Sequence, residues 1–213
     1  MIAFRRLVFA LAALVLPATL YAAAPSDHPD VFNSPDIKGH ASLAGQFLIA
    51  TPGMRDPRFD HAVILMVRHN QDGALGIVIN LPLGERPLAD LLAAFGEKDS
   101  AATGKVRIFL GGPVQPEIGF VIHSTNYHRA ETITVGRNVA VTSSAKVLRD
   151  IADKTGPAKS LIAFGYAGWV PGQLEGELAH NVWSTAPQDP GIVFDDDRDK
   201  VWEHATAHRT QDL

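Results

Sequence analysis

The stretch "HAVILMVRHNQDGALGIVIN", residues 61–80, constrains the fold more than any other. Val63 to Val67 and Leu75 to Ile79 are unbroken β-rich apolar runs rather than alternating ones, and runs of that kind suit strands covered on both faces. Between them "NQDG" supplies a turn, because Asp72-Gly73 can provide the positive φ that a tight hairpin needs. The chain has 213 residues and no cysteine. Disulfides, thiolate nucleophiles and a lipidated N-terminal cysteine are thereby excluded, so the fold must stand on its core alone.

Further elements follow the same logic. "GQFLIATPG" is a short apolar run bounded by turn residues. "RPLADLLAAFG" reads as a helix, with Pro87 near its first turn, Leu88, Leu91, Leu92 and Phe95 on one stripe, and Gly96 ending it. "KVRIFLGGP" and "IGFVIHS" are of strand length, and "ETITVGRNVAVTS" reads as two strands joined at Gly136-Arg137-Asn138. A helix is expected from Ser143 to Lys154, with Val147, Leu148 and Ile151 inward and Gly156-Pro157 as its stop, and then a strand at "SLIAFG".

The other end of the chain bears on compartment. Arg5 and Arg6 precede the apolar run "LVFALAALVLPATL" and the small residues Ala22, Ala23 and Ala24, the layout of a secretory signal peptide. That run is shorter than the ~20 residues a membrane span needs. The expected organisation is a signal peptide over 1–23, a flexible linker over 24–42 and one domain over 43–213, with a periplasmic or secreted product. An uncleaved leader anchoring the chain to the membrane is the alternative. Net charge is −4, and losing Arg5 and Arg6 with the leader takes it to −6. The other Lys and Arg are dispersed among acids, so no nucleic-acid partner is expected of an exported form, and no stable membrane insertion after cleavage.

"GYAGWVPGQLEGELAHNVW", residues 165–183, holds four glycines, two tryptophans and two glutamates. It is expected to start where the "SLIAFG" strand ends and to finish in a helix from about Gly172 to Asn181. Gly165 and Gly168 would allow a turn or a close backbone approach, and Glu175 falls in the first helical turn, favourable to its dipole. Packing explains much of this composition; recognition is the other reading.

Taken together, "GQFLIATPGMRDPRF", "VRHNQDGALGIVIN", "FLGGPV", "GFVIHS", "VTSSAKVLRDIA", "GYAGWVPGQLEGEL" and the terminal "VWEHA", in this order, resemble the AlgH/YqgE family from Leu43 to Ala205. The resemblance implies an α/β (α+β) fold: a single compact domain whose sheet is bent into a barrel-like shape with packed helices. It supplies no catalytic residues. Some members are described as transcriptional regulators linked to alginate synthesis, yet no DNA-reading motif comes with the resemblance. Two departures stand out. The leader and linker precede a domain that usually begins near its first strand, and Lys146 stands where relatives usually carry an acid.

Other motifs are weaker. "SSAK" matches Ser-x-x-Lys, but the companion motifs are absent and Ser143 or Ser144 is placed to cap a helix; a Gly-x-Ser-x-Gly elbow is missing. The nine histidines are read as scattered, with no pair at the spacing of a helix-borne or finger-type zinc site, and His69 and His123 as locally bonded strand ends. "DDDRD" at 195–199 lacks the glycine and final glutamate of a calcium loop, its acids answering the dipole of the following helix. "GGPV" reads as a strand-end turn. No metal and no cofactor are expected.

Two functional readings remain. One is a non-catalytic binding or regulatory domain with Tyr166, Trp169, Gln173 and Glu175 near its recognition surface, for a protein or small molecule the sequence does not identify. The other is an enzyme, such as a hydrolase, with Glu175 or Glu177 as acid or base and His123 as partner across a cleft. Oligomeric state is left open.

Overall fold

The computed structural model describes residues 42–95 and 102–210. The leader, nearly all of the linker and the helix-ending Gly96 lie outside the described residues. Strands β1 (Gln46–Ala50), β2 (Val63–Asn70), β3 (Gly73–Val78) and β4 (Pro82–Pro87) lead into helix α1 (Leu88–Ala94). Strands β5 (Lys105–Leu110), β6 (Val114–Ser124), β7 (Thr132–Thr134) and β8 (Val139–Thr142) precede helix α2 (Lys146–Ala152). The long β9 (Ser160–Trp169) feeds helix α3 (Gln173–Ala179), followed by β10 (Trp183–Pro187), α4 (Pro190–Val193) and α5 (Val201–Ala207).

The β2–β3 hairpin behaves as its sequence demands. All but one of the residues of β2 are buried, and all of those of β3. Ile64, Met66, Ala74 and Val78 pack on one side, with Leu48, Trp169, Leu174 and Trp183. Leu65, Leu75 and Ile77 alternate to the opposite side and are equally covered. Gly73 takes the positive φ of the turn, at 118°.

Strand order is β10-β1-β2-β3-β9-β6-β8-β7, with β5 beside β9 and β4 beside β5. The sheet is curled into a half-barrel. Its two ends come together: Gln188, just after β10, accepts a hydrogen bond from the Arg137 amide in the β7–β8 turn at 2.9 Å. Helices α1 and α2 cover a second apolar cluster formed by Leu92, Ile108, Val121, Leu148 and Ile162.

The expectation that the strand ends at "SLIAFG" is corrected. β9 runs on to Trp169, passing through Gly165 at φ 73°. There one edge of β9 changes partner: Ile108 to Leu110 of β5 pair in parallel with Ile162 to Phe164, and Ala74 to Gly76 of β3 pair antiparallel with Ala167 to Trp169. Gly111 stitches the junction, donating to the Phe164 carbonyl at 2.7 Å and accepting from the Val78 amide at 2.8 Å. "GGPV" is therefore the point where the chain leaves one edge of β9 and reaches the other as β6.

Two smaller expectations also change. Helix α2 ends at Ala152, ahead of Gly156, and its N-cap position is Ala145, with no side-chain cap from Ser143 or Ser144. The acids of "DDDRD" lie ahead of the first turn of α5 and mostly brace their own turn: Asp195 accepts from the Asp197 amide at 2.9 Å, and Asp197 pairs with Lys200 at 2.9 Å. Between them Arg198 is buried, donating to the Val193 carbonyl at 2.9 Å with its guanidinium over the Phe109 ring.

Candidate functional site

The corner where β9 gives way to α3 gathers most of the residues singled out in the sequence. Gly172, at φ 78°, turns the chain into α3. Glu177 then faces back to the sheet and accepts from both indoles, Trp169 Nε1 at 2.9 Å and Trp183 Nε1 at 2.7 Å, through one oxygen. Its other oxygen accepts from Gln173 Nε2 at 2.9 Å, and Gln173 Oε1 accepts from the Val170 amide at 3.2 Å. The two indoles meet edge to face at 6.1 Å, and Phe59 adds a second such contact to Trp183 at 5.6 Å. Trp169 is only 7% exposed, so it forms the foundation of this corner and not its surface.

Glu175 lies two residues back on α3 and accepts from His69 Nε2 at 2.9 Å. The other ring nitrogen of His69 accepts from the Leu43 amide at 3.1 Å. An amide can only donate, so the neutral ring carries its proton on Nε2, directed at Glu175. The hydroxyl of Ser42 donates to the His69 carbonyl at 2.9 Å. One buried histidine thus ties the entering chain, β2 and α3 together.

Tyr166 is separated from this group. It is three residues from Trp169 on β9, so its side chain emerges on the opposite face, edge-on to Phe120 at 6.2 Å. The structure brings Trp169, Gln173 and Glu175 together and leaves Tyr166 apart. Val170, 67% exposed, Gln173 and Gly176 form the outward surface of the corner.

The pairing of Glu175 or Glu177 with His123 is not formed. His123 stands opposite Ser160, at the far end of β9 from Trp169. That separation is roughly 30 Å of extended strand. His123 is fully buried in a directed chain of hydrogen bonds. The Ser124 carbonyl, 3.0 Å from Nδ1, can only accept, which puts the proton of the neutral ring on Nδ1. Nε2 then accepts from the Thr142 hydroxyl at 2.8 Å, Thr142 from Thr132 at 2.7 Å, and Thr132 from the Arg129 amide at 2.9 Å. The Tyr127 ring covers the imidazole edge-on at 5.3 Å, and its hydroxyl joins Arg129 and Asp150. Burial would raise the Asp150 carboxyl, but the Tyr127 hydroxyl and the Arg129 guanidinium outweigh it and hold it below the usual range.

Burial pushes the His123 pKa below the ordinary histidine value, against the smaller opposing pull of the Ser124 carbonyl. In the unfolded chain the same ring titrates at about 6.5. Between the two values the unfolded state binds more protons, so the contribution is complete above about pH 6.5 and is lost as pH falls through the folded value. The urea midpoint of the wild type is therefore expected to drop between pH 7 and pH 5 more steeply than that of His123→Gln. Parallel slopes would remove His123 as the cause.

Sequence reasoning also passed over a pair. His204 and His208 are four residues apart on and just after α5, a spacing visible in "VWEHATAH" and contrary to the expectation of scattered histidines. His204 Nδ1 lies 3.1 Å from Asp195 Oδ2, and His208 Nδ1 lies 2.8 Å from the His204 carbonyl. Among the described residues no group of three or more His, Cys, Asp or Glu side chains converges for a metal. No described helix is long and apolar enough to cross a membrane.

Comparison with known proteins gives a consistent picture. A family model described as AlgH-like matches residues 47–213. A UPF0301 protein of Methylococcus capsulatus is 45% identical over 175 residues, covering 82% of this chain and 96% of that protein. Another, of Rhodospirillum rubrum, is 43% identical over 158 residues, covering 74% and 82%. The solution structure of the AlgH protein from Pseudomonas aeruginosa is similar with a TM-score of 0.69 at 42% identity, covering 82% of this chain and 92% of that one. A crystal structure of a Corynebacterium diphtheriae protein, 19% identical with a TM-score of 0.60 over 82% and 90% of the two chains, shares the fold.

Proposed function

The chain belongs to the AlgH-like family, and from that premise we propose that it is an exported, non-catalytic binding or regulatory domain that meets a partner protein at the β9–α3 corner. The observation that carries this reading is the dual use of Glu177. By accepting from two buried indoles at once, it fixes α3 on the sheet and presents Val170 and Gln173 on a rigid mount, which lowers the ordering cost of binding. The polar groups beneath are consumed by internal bonds: both ring nitrogens of His69 are engaged, as are both oxygens of Glu177. Such a corner is built for holding a shape rather than for moving protons. The leader-like segment at residues 1–23 supports the exported setting.

Two measurements test the reading. Cross-linked pull-downs from periplasmic extract are expected to recover a partner with the wild type and to lose it with Val170→Asp, a change at an exposed position that leaves the melting temperature in place. Equal recovery by both, or none by either, defeats the corner as a contact surface. N-terminal sequencing of protein taken from the periplasmic fraction is expected to begin near Ala23 or Ala24. Recovery of the full-length chain from the cytosol alone defeats the exported setting.

A further inference from the structure

We propose that His204 and His208 form a binding site for a divalent transition-metal ion of the Zn²⁺ or Cu²⁺ type on the outer face of α5, with Asp195 as the group that positions His204. Residues four apart on a helix stand about 5–6 Å apart at Cβ, and two imidazoles at that spacing can share one ion. The inward face of the helix is taken up elsewhere. Val201 and Ala205 are buried, and Trp202 donates to the Ala50 carbonyl at 2.8 Å, so His204 and His208 are turned outward. The His204 side chain is 47% exposed.

Spacing alone would describe any pair of surface histidines; the second ring nitrogens make this pair different. A carboxylate oxygen and a backbone carbonyl can only accept from a neutral imidazole. Asp195 Oδ2 therefore takes the Nδ1 proton of His204 at 3.1 Å, and the His204 carbonyl takes that of His208 at 2.8 Å. In both rings the lone pair is left on Nε2. Metal-binding histidines elsewhere are oriented in this way, with the non-ligating N–H given to a carboxylate or a carbonyl. The bond to its own helix carbonyl also turns the His208 ring back toward His204. Asp195 is itself held: the Asp197 amide donates to its other oxygen at 2.9 Å.

The remaining described histidines lack this arrangement. His69 and His123 have both nitrogens engaged within the protein; His61 and His180, although their Nδ1 atoms lie against the Asp60 carboxylate and the Gly176 carbonyl, have no second histidine three or four residues away, and neither has His128. With two protein ligands, the other coordination positions of the ion are open to water. That fits a borderline ion that accepts imidazole readily, and not Ca²⁺ or Mg²⁺, which favour oxygen.

The test is calorimetric titration of the untagged full chain with Zn²⁺ at pH 7.5, and with Cu²⁺ followed by electron paramagnetic resonance. One ion per chain is expected, with hyperfine coupling to two nitrogens. His204→Ala and His208→Ala should each weaken binding at least tenfold while leaving circular dichroism and melting unchanged, since both side chains point to solvent. Asp195→Asn should cost about tenfold, the usual penalty for losing an orienting partner. Binding equal in the wild type and both histidine variants, or no binding up to millimolar Zn²⁺, overturns the site. An unchanged affinity in Asp195→Asn overturns the positioning role of the carboxylate.

Discussion

Gly165→Ala is expected to destabilise the protein by about 3–5 kcal/mol, enough to leave little folded chain at 37 °C. Two costs add. The residue sits at φ 73°, a conformation that charges an L side chain about 1–2 kcal/mol. A Cβ there would also come 2.4 Å from the Gly112 carbonyl oxygen and 3.0 Å from that of Val114, both backbone atoms in a crossing that cannot open without parting β6 from β9. Gly168→Ala is the matched control. Its Cβ would meet the Tyr166 ring at 3.3 Å and the Val114 side chain at 4.0 Å, so a shift of a few tenths of an ångström suffices and the loss should stay below about 1 kcal/mol. Urea unfolding of the two variants checks the difference, and equal midpoints would show that the crossing at Gly165 is not tight.

The same glycine shows why the fold was only partly legible. Apolar runs announced β2 and β3, because burial on both faces leaves a signal no helix surface imitates at that length, and shorter buried runs marked β5 at Ile108-Phe109 and β6 from Phe120 to Ile122. Helices α1 and α2 were visible from their stripes and α3 falls within the span expected of it, whereas the short α4 was not anticipated. Gly165 was legible as a special backbone position but its context was not. A glycine at the end of an apolar run looks like a terminus, and only the partner strands reveal that β9 continues through it. Strand β4 was hidden for the converse reason. "PLGERP" has two prolines and no buried residue, and it is a strand only because β5 offers it a partner.

For the candidate site, residue type was the readable part and direction the unreadable part. Trp169 and Tyr166 look alike on paper, as large aromatic residues in one glycine-rich stretch. Their odd spacing places them on opposite faces once the segment is known to be strand, and that knowledge depended on Gly165. Partner choice was equally closed to inspection: Glu175 meets His69 from 106 residues away, not His123, because the β6 register sets His123 opposite Ser160 while Ala74 of β3, which faces His69 on β2, pairs with Trp169. The His204–His208 spacing, by contrast, was present in the sequence. Asp195 as its orienting partner was not, since the turn from Asp195 to Lys200 has to fold back on α5 first.

Glu177→Ala is expected to be the costliest change at the corner, at about 2–4 kcal/mol. It removes the single acceptor of two indole N–H groups and of the Gln173 amide. Each buried donor left without a partner costs about 1–3 kcal/mol, and partial exposure of Glu177 lets water recover some of this. Glu177→Gln separates charge from geometry. Its amide oxygen can still accept from the indoles, but its amide nitrogen then faces the Gln173 Nε2 donor, so that outer bond and the extra strength of a charged acceptor are lost, about 1–2 kcal/mol. Tryptophan emission should report the same ranking: a red shift in the alanine variant as water reaches Trp169 and Trp183, and near wild-type emission in the glutamine variant. If Glu177→Gln keeps both stability and partner recovery while Glu177→Ala loses recovery under conditions where it is still folded, rigidity of α3 is what the partner reads. If Glu177→Ala binds as well as the wild type, the indole brace serves stability alone, and the contact surface has to be sought away from α3.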